Sequence, residues 1–481
     1  MRKMIKILCI AVFAALVILA GFTAFAFSNG LFAREAPPKY IFLFIGDGMS
    51  YPQMTLASLY KTSVLKEEDL IMNSFKSVGV AHTGRGESVI TESAAAASAM
   101  ASGVNDMNEW LNIDADGEAH ETIAEKLKKQ RGYKIGVISS VNINHATPAA
   151  FYAKQESRYD NTSIFYQLAE SGFDYFGGGD ITGKPYDFGE VLERSGYKYI
   201  NTREDIIHAD LRDGKIIAVS PNLDRNASIA YAIDNRANEL ATFTLAEHTR
   251  KCIEQLYNNS DTGFFIMVEG GKIDWAGHAN DAASMIHEII AFDDAVREAV
   301  EFYKMYPRET LIIVTGDHET GGLSLGYAAT TINLYLNYLE NQSVSFTEYE
   351  LKVNAFRENN YSFEQVLADI RREFFGVEDD TAAVFYSGEV EQLYAAYNLS
   401  MMDPSERPFT MHEFLNYGFY DPLTMTAINI LNLRAGISWS SYSHTALPVP
   451  VLALGAGESR FTGFYRNREI FFKLKELTDV E

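Results

Sequence analysis

Short apolar runs alternate with longer amphipathic segments along most of the chain. The apolar runs are rich in β-branched and aromatic residues and cover residues 39–45, 77–82, 134–139, 264–268, 310–315 and 450–454. Runs of this length between helical segments are typical of buried parallel strands. Helical periodicity predicts covering helices over residues 123–130, 245–257 and 282–306. We therefore expect an α/β fold, with a largely parallel central sheet and helices on both faces.

The stretch from residue 330 to residue 434 departs from this alternation. Its sequence is mixed in charge and has helical periodicity over residues 362–375 and 387–397. We expect an α/β domain formed by residues 39–329 and 435–475, with residues 330–434 as a long inserted subdomain. Covering a cleft and forming a dimer contact are both compatible with this insertion.

The first 26 residues form a separate segment. Basic residues precede an uncharged apolar run over residues 7–27, which contains the small-x-small sequence Ala24-Phe25-Ala26. This order is the pattern of a secretory signal peptide with its cleavage site. An uncleaved membrane anchor is the alternative, because the apolar run is long enough to span a bilayer. We therefore expect an exported protein that is periplasmic or secreted, or membrane-anchored if the segment is retained.

Composition narrows the classes of function. The 481 residues are 47% hydrophobic and 22% charged, which is typical of a globular protein with a sizeable core. The formal net charge of -23 argues against a nucleic-acid binding domain and against nonspecific binding to an anionic membrane. Cys9 lies in the predicted signal, so cleavage leaves only Cys252 and no intrachain disulfide can form. Stability must then come from the core or from bound metals.

Two residues at the predicted element ends suggest a ligand site. Asp47 lies between two glycines where the first predicted strand ends, and Ser93 lies in the first turn of an alanine-rich helix. Open α/β sheets bind ligands at such strand ends, and a helix N-terminus favours both an anion and an attacking alkoxide. A role for Thr91 or Ser93 as a helix cap only is the alternative. No Gly-x-Ser-x-Gly sequence accompanies Ser93, so the usual serine-hydrolase route has no support.

Imidazole and carboxylate side chains cluster near three further predicted strands. They are Glu269, Asp274 and His278, then Asp317 and His318, and finally His444. Asp274 and His278 are four residues apart, so they can share one helical face and one metal ion. Histidines together with carboxylates match the ligands that zinc prefers, whereas Glu269 with Asp47 suits a harder ion such as magnesium.

Two other segments fit a bound anion. The hydroxyl of Thr147, in His145-Ala146-Thr147-Pro148, can reach a metal directly or through water. The guanidinium of Arg158 can hold a phosphate through paired hydrogen bonds.

These motifs, in this order, resemble those of the alkaline phosphatases. The matching sequences are Gly46-Asp47-Gly48, Thr91-Glu92-Ser93-Ala94-Ala95, His145-Ala146-Thr147-Pro148, Arg158, the segment 269–278, Gly316-Asp317-His318 and Ser443-His444-Thr445. The resemblance extends from about residue 39 to residue 472, apart from the insertion. It implies an alkaline-phosphatase-like fold, a metal-dependent phosphomonoesterase activity and, as is usual in the family, a homodimer.

The resemblance also implies a role for each matched residue. The implied ligands are Asp274, His278 and His444 for a first zinc, Asp47, Asp317 and His318 for a second zinc, and Asp47, Thr147 and Glu269 for magnesium. Ser93 would be the nucleophile that forms a phosphoserine, and Arg158 would hold the phosphate. All of these residues address the phosphate, so we expect little preference for the leaving group.

Three residues near the implied site depart from the usual family pattern. Glu92 stands where aspartate is common, and its extra methylene can change how the carboxylate orients Arg158 or the helix turn. His145 and Trp275 stand where other members have aspartate with lysine or a pair of histidines, and this pair resembles that of certain cold-active bacterial members. Trp275 adds bulk and an indole donor but no charge, so we expect phosphate to leave comparatively easily. Simple packing against a neighbouring helix is the alternative for Trp275.

Three other classes fit parts of the pattern. A phosphodiesterase or nucleotide pyrophosphatase of the same superfamily would share the two zincs, but a third metal site and Arg158 suit a doubly charged monoester better. A sulfatase is disfavoured, because Ser93 is not followed by x-Pro-x-Arg. A noncatalytic secreted protein that binds metal or phosphate would not need both Ser93 and Arg158. The sequence therefore predicts an enzyme that hydrolyses phosphate monoesters to an alcohol and phosphate.

Overall fold

The computed structural model describes residues 36–84, 88–104, 107–237, 242–379 and 384–481. The predicted signal segment, residues 1–26, lies outside them. Within these ranges, no helix has both the length and the apolar character needed to cross a membrane. The strands are β1 Tyr40–Gly46, β2 Ser77–His82, β3 Lys134–Ser139, β4 Tyr175–Gly178, β5 Tyr197–Ile200, β6 Lys215–Val219, β7 Phe264–Gly270, β8 Thr310–Gly316, β9 Glu319–Thr320, β10 Ser324–Leu325, β11 Ile437–Ser438, β12 His444–Thr445, β13 Val449–Gly455 and β14 Gly463–Arg466.

Ten of these described strands form one sheet, in the order β14-β2-β13-β8-β1-β7-β3-β4-β6-β5. The central strand β1 pairs in parallel with β7 and β8, and Gly46 lies opposite both Gly270 and Gly316. All residues of these three strands are buried, as expected for a sheet covered on both faces. Because the three strands end at the same level, Asp47 and Asp317 follow directly at the carboxyl ends of neighbouring strands and lie on the same side of the sheet domain.

The sheet is mostly parallel, as predicted, but the strand expected over residues 450–454 is not. β13 runs antiparallel to both β8 and β2. Val451 lies opposite Thr315, so β13 begins next to the carboxyl end of β8. His444 pairs with Thr320 just before β13 begins. It is thereby held at the same carboxyl ends of the strands as Asp317. The parallel direction expected for this strand is therefore wrong. The sequence of a buried apolar strand does not indicate whether the strand runs parallel or antiparallel to its neighbours.

Helices cover both faces of the sheet. Outside the insertion they are Tyr51–Ser63, Ser93–Ser102, Ile123–Lys126, Ala146–Ala149, Asn161–Glu170, Phe188–Ser195, Arg203–His208, Leu245–Asn258, Lys272–His278, Ala282–Met305 and Glu469–Thr478. Phe42 and Phe44 of β1 pack on Phe302 and Phe292 on one face. The alternate residues of β1 belong to the core on the opposite face. The α/β fold with a largely parallel sheet is therefore confirmed.

Some short elements differ from the predicted ones. The helix expected over residues 123–130 is α-helical only to Lys126 and continues as a π-helical turn over Leu127–Arg131. The strands β4, β5 and β6, at one edge of the sheet, have no counterpart in the prediction. Their apolar runs are too short to be distinguished from buried loop or helix segments by periodicity.

The insertion is helical and packs on the main sheet domain. Its helices are Phe346–Glu358, Phe363–Phe375, Ser387–Ser400, Met411–Tyr417 and Pro422–Ala435. Asp281, at the start of the helix Ala282–Met305, accepts hydrogen bonds from Gln342 Nε2 and from the Phe346 backbone at 2.9 and 3.0 Å. Apolar residues of the insertion belong to the same core cluster as one face of the sheet. The division into an α/β domain and an inserted subdomain stays a prediction.

Candidate metal centre and active site

The first metal group consists of Asp274, His278 and His444. The helix Lys272–His278 presents Asp274 and His278 on one face, and His278 Nε2 lies 3.3 Å from Asp274 Oδ2. His444 Nε2 lies 3.1 Å from His278 Nε2 and 3.6 Å from Asp274 Oδ1. Backbone carbonyls of Tyr442 and Thr91 lie 2.7 and 2.9 Å from the Nδ1 atoms of His278 and His444. Donation from Nδ1 leaves each Nε2 as an acceptor directed at the shared point, which is the arrangement of metal-binding histidines.

The second metal group consists of Asp47, Asp317 and His318, all fully buried. His318 Nε2 lies 3.4 Å from Asp47 Oδ1 and 3.3 Å from Asp317 Oδ2. Asp317 Oδ1 accepts hydrogen bonds from the backbone of Gly48 and His318, at 3.0 and 2.8 Å. Asp47 Oδ1 and Asp317 Oδ2, by contrast, have no hydrogen-bond partner in the described part of the chain. Two buried carboxylate oxygens therefore face one imidazole nitrogen without a protein donor.

The third metal group consists of Asp47, His145 and Glu269, whose ligand atoms lie within 4.8 Å of one another. Glu269 Oε2 accepts a hydrogen bond from Ser139, whereas Glu269 Oε1 and His145 Nδ1 are buried without a partner among the described residues. The hydroxyl of Thr147 lies 3.5 Å from Asp47 Oδ2. Asp47, Glu269 and Thr147 are thus together, as expected, and His145 joins them. The position of His145 two residues before Thr147 is the sequence signal for this placement.

The electrostatics of the second and third groups favour bound cations. Burial, followed by repulsion from Asp317, raises the pKa of Asp47 well above its usual value. Burial raises the pKa of Glu269 to about 8 and that of Asp317 to about 7. Burial, together with nearby His444, holds the pKa of His318 well below its usual value, so its imidazole is neutral. Buried carboxylates next to neutral imidazoles require compensating positive charge.

The donor atoms fit metal ions by type as well as by position. The first two groups offer carboxylate oxygens and imidazole nitrogens around shared points, a donor set that zinc prefers. The third group offers two carboxylates and a nearby hydroxyl, which suit a harder ion. Asp47, Asp317 and Glu269 each have one buried carboxylate oxygen without a hydrogen-bond donor in the described part of the chain. An oxygen atom that coordinates a metal ion has this environment, because the ion takes the place of a protein donor.

Ser93 is the first residue of the helix Ser93–Ser102 and is buried. Its Oγ lies 3.3 Å from His318 Nε2, in the second metal group. The helix is capped by Glu92, whose carboxylate accepts hydrogen bonds from the backbone of Ala94 and Ala95 at 2.9 and 2.8 Å. The alternative that Thr91 or Ser93 is the cap is therefore wrong. The Ser93 hydroxyl is directed at the metal groups instead.

Arg158 is held next to Ser93 by two side chains. Its Nη1 donates to Glu92 Oε2 at 2.6 Å, and its Nη2 lies 3.1 Å from His145 Nε2. Burial, followed by repulsion from the cationic Arg158, lowers the pKa of His145 to about 3. The neutral His145 ring therefore accepts a hydrogen bond from Arg158 at Nε2, which fixes the guanidinium between His145 and Glu92. The ring proton is then on Nδ1, so His145 adjoins the third group as an N–H donor and not as a metal ligand.

Trp275 lies beside this pair. Its ring meets the ring of His145 edge to face, with centroids 6.0 Å apart. Trp275, His145 and Arg158 together line a cavity of about 560 Å³. The indole also packs on the core, so Trp275 lies both in the cavity that Arg158 lines and against a neighbouring element.

Comparison with known sequences identifies a family. The family model described as alkaline phosphatase matches residues 38–185 and 163–480. Alkaline phosphatase 4 of Bacillus subtilis is 28% identical over 462 residues, which cover 92% of this chain and 89% of that protein. The repressible alkaline phosphatase of Saccharomyces cerevisiae is 25% identical over 482 residues, which cover 93% of this chain and 80% of that protein.

Solved structures agree with these sequence matches. A cold-active alkaline phosphatase from a psychrophilic Shewanella sp. superposes with a TM-score of 0.76 at 25% identity, covering 91% of this chain and 99% of that chain. The alkaline phosphatase of Thermus thermophilus gives the same TM-score of 0.76 at 25% identity, and 93% of each chain is covered. Each of these similarities therefore covers more than nine tenths of this chain.

Proposed function

This chain belongs to the alkaline phosphatase family, and on that premise we propose that it hydrolyses phosphate monoesters through a phosphoserine on Ser93, with two zinc ions and one magnesium ion. The enzyme class follows from the family, whose members hydrolyse phosphate monoesters in a metal-dependent reaction. The phosphoserine and the identity of each metal are the proposal. The observation that supports it best is the position of Ser93 Oγ, 3.3 Å from a ligand of the second metal group.

The metal groups have assigned ions in this proposal. The first group, with two histidines, and the second group, with one, would each hold zinc. Asp47, Thr147 and Glu269 would hold magnesium, with His145 alongside. When bound, the ions supply Lewis acidity that lowers the pKa of the attacking hydroxyl and compensates charge on the leaving oxygen.

Ser93 carries the covalent step. The Ser93 hydroxyl loses its proton to solvent and its Oγ attacks phosphorus in line; the bond from phosphorus to the leaving oxygen breaks, and the departing alkoxide takes up a proton to become the alcohol. Water then attacks the phosphoserine, which releases inorganic phosphate and restores the Ser93 hydroxyl. The N-terminus of the helix Ser93–Ser102 adds favourable partial positive charge for the anionic phosphate.

Arg158 holds the phosphate during both steps. A guanidinium has five N–H donors, and the contacts with Glu92 and His145 use one donor on each of its two terminal nitrogen atoms. The remaining donors can reach two nonbridging oxygens of a bound phosphate through charge-assisted hydrogen bonds. A doubly charged monoester matches this arrangement better than a diester.

The activity test compares three esters before and after chelation. We expect purified protein to hydrolyse a phosphate monoester much faster than a phosphate diester or a sulfate ester. Exhaustive chelation should abolish the reaction, and zinc with magnesium should restore it. A monoester rate that survives complete chelation would contradict the metal mechanism, and a faster diester rate would favour the phosphodiesterase alternative.

Export and a homodimer complete the proposal. Export is supported by the signal-like residues 1–26, and the homodimer by family resemblance alone. N-terminal sequencing of the mature protein and sedimentation velocity test the two points separately. A retained N-terminus on a membrane-bound protein would favour the anchor instead.

A further inference from the structure

A cavity of about 800 Å³ lies beside the first metal group. His278 lines one side of it, and the helices Met411–Tyr417 and Pro422–Ala435 of the insertion line another. The loop 438–443, which leads to His444, forms a further wall. Its volume lies within the range of typical small-molecule sites, so it is large enough for the alcohol part of a substrate. We call this space the aromatic cavity.

The lining of the aromatic cavity is rich in aromatic rings. They come from Phe414, Phe419, Tyr420, Trp439 and Tyr442, and apart from His278 of the first metal group none of the described lining residues has an acidic or basic side chain. Serine and asparagine side chains supply the polar atoms. The chain has a net charge of -23, so a largely uncharged lining next to a metal group is itself a source of selectivity between substrates. It accepts neutral groups and offers no partner to a second charge on the substrate.

Several apolar side chains at this cavity are exposed. Phe419 is 80% exposed and Leu415 is 67% exposed. Phe419 is held in place by ring contacts with Phe409 and Phe414, with centroids 5.5 and 5.3 Å apart. Exposed apolar side chains that are fixed by neighbours, at the mouth of a cavity, are typical of a binding surface for an apolar group.

The aromatic cavity is connected to the first metal group by direct contacts. Tyr442 donates through its hydroxyl to the backbone carbonyl of Asn416 at 2.6 Å. The carbonyl of the same Tyr442 lies 2.7 Å from His278 Nδ1. Gly418 has a φ of +60°, and a Cβ there would lie 2.9 Å from the Tyr442 ring, so the turn of the insertion lies closely against this tyrosine. The position of the cavity relative to His278 is therefore fixed.

We propose that the aromatic cavity binds the leaving group of the substrate and favours uncharged alcohols that carry an aromatic ring. This inference rests on the proposed function, because the alcohol part of a substrate can enter the cavity only if its phosphate is bound at the metal groups, and His278 belongs both to the first metal group and to the cavity lining. The residues matched in the sequence address the phosphate only and predict little preference for the leaving group. The insertion supplies the missing contacts.

The test uses two substrates that differ by a phenyl ring but release alkoxides of similar basicity, ethyl phosphate and 2-phenylethyl phosphate. With metal-loaded enzyme, we expect kcat/KM to be about 10-fold higher for the phenylethyl ester, as for a ring that enters an apolar pocket. An added carboxylate, in 2-(4-carboxyphenyl)ethyl phosphate, should remove most of that gain. Equal values for the ethyl and phenylethyl esters would overturn the proposal.

Three variants locate the effect. Phe419→Ala removes an exposed ring of the cavity, and Asn429→Trp fills the cavity from an exposed position. Each should lower the phenylethyl-to-ethyl ratio about 3- to 5-fold without changing the rate for ethyl phosphate. The matched control Phe464→Ala removes a ring that is 69% exposed and lies outside the cavity, so the ratio should stay unchanged. An unchanged phenylethyl-to-ethyl ratio in both cavity variants would contradict leaving-group binding, whether or not the variants change the association state measured by sedimentation.

Binding of unreactive analogues separates this inference from the proposed function. Calorimetry with 2-phenylethylphosphonate and ethylphosphonate measures the preference without turnover. If no monoester is hydrolysed, the proposed function fails, while a tighter phenylethyl analogue that weakens in Phe419→Ala still supports the cavity. Equal affinities for the two analogues would exclude the cavity as a leaving-group site even in an active enzyme.

Discussion

Glu92 Oε2 accepts a hydrogen bond from Arg158 Nη1 at 2.6 Å, while the same carboxylate caps the helix that begins at Ser93. A third contact comes from the backbone N–H of Glu109, at 2.9 Å from Glu92 Oε1. Although burial acts in the opposite direction, Arg158 lowers the pKa of Glu92 below its usual value. One side chain therefore couples the position of Arg158, the proposed phosphate ligand, to the start of the helix that carries Ser93, the proposed nucleophile. The glutamate's additional methylene is compatible with both tasks.

Glu92→Gln tests this coupling, because it removes the charge while nearly preserving the shape. We expect KM and the inhibition constant of phosphate to rise several-fold, since the guanidinium loses its anionic anchor. The free energy of unfolding should fall by about 1–2 kcal/mol through the weakened cap and ion pair. Kinetics and chemical denaturation measure the two effects.

Glu125→Gln is the matched control for that variant. Glu125 also closes the start of a helix, at Thr122, and pairs with a cation, Lys154. It lies in the capping box of another helix, so its loss should reduce stability without changing KM. A Glu92→Gln enzyme with wild-type KM would show that Arg158 does not depend on this carboxylate.

Ser93→Ala should eliminate the trapped phosphoenzyme and lower kcat by about 10³-fold or more, because the covalent route is lost. Water at the metal centre can leave residual hydrolysis. Acid quenching with ³²P-labelled substrate measures the intermediate. Ser102→Ala, at the far end of the same helix, removes a buried hydroxyl away from the metal groups and should retain labelling. Labelled protein from the Ser93 variant would identify another residue as the nucleophile.

Arg158→Ala should weaken binding of phosphate by about 10- to 100-fold and leave the metals bound, since the guanidinium supplies hydrogen bonds and is not a ligand. The inhibition constant of phosphate and the zinc content measure this together. Arg225 lines the same cavity and pairs with Glu350, so Arg225→Ala controls for a general loss of positive charge. Loss of zinc from the Arg158 variant alone would mean that Arg158 organises the metal centre.

Much of the candidate centre could be predicted because its ligands follow strand ends. Asp47, Glu269 and Asp317 lie at the carboxyl ends of three adjacent strands that share one register, so the chain order already implies proximity. His444 could be placed only by family resemblance. It reaches the site because β13 runs antiparallel, and the apolar pattern carries no information on strand direction.

Other features lie beyond sequence patterns. The contact between His145 and Arg158 depends on a buried neutral imidazole, and burial at this loop position has no periodic signal. The aromatic cavity combines Phe419 of the insertion with Tyr442 near the last strands and His278 of a helix. Such a wall has no sequence motif, because its residues come from three distant segments of the chain.

Stability should fall in mild acid through His248, which is fully buried away from the metal groups. Burial lowers its pKa to about 3 from an ordinary 6.5. The neutral ring lies 3.1 Å from Ser220 Oγ, and Nδ1 has no hydrogen-bond partner in the described part of the chain. The unfolded chain therefore binds the proton more readily than the folded protein. The stabilisation is complete above pH 6.5 and is lost at about 1.4 kcal/mol per pH unit as pH falls towards the folded pKa.

His248→Gln should remove that contribution. The free energy of unfolding of the wild type should decrease by about 2 kcal/mol more than that of the variant between pH 7.5 and pH 5. Urea denaturation at both pH values measures how much the free energy of unfolding of each protein changes with pH. This change is compared between the two proteins and does not depend on the variant's own loss of stability. His208→Gln, at an exposed position, should leave the pH dependence unchanged. Parallel curves for wild type and His248→Gln would exclude His248 as a source of acid sensitivity.

Trp275→Lys tests whether the absence of charge beside Arg158 sets the rate of product release. Trp275 lines the cavity that also contains Arg158 and His145, so a lysine ammonium there would lie near bound phosphate. Added positive charge should bind phosphate more tightly and slow turnover when release limits the rate. Trp275→Met removes the indole without adding charge and separates lost packing from gained electrostatics. The inhibition constant of phosphate and kcat are compared at equal zinc and magnesium content. A lower inhibition constant and slower turnover in the lysine variant alone support the charge effect, whereas equal inhibition constants in all three proteins would assign Trp275 to packing.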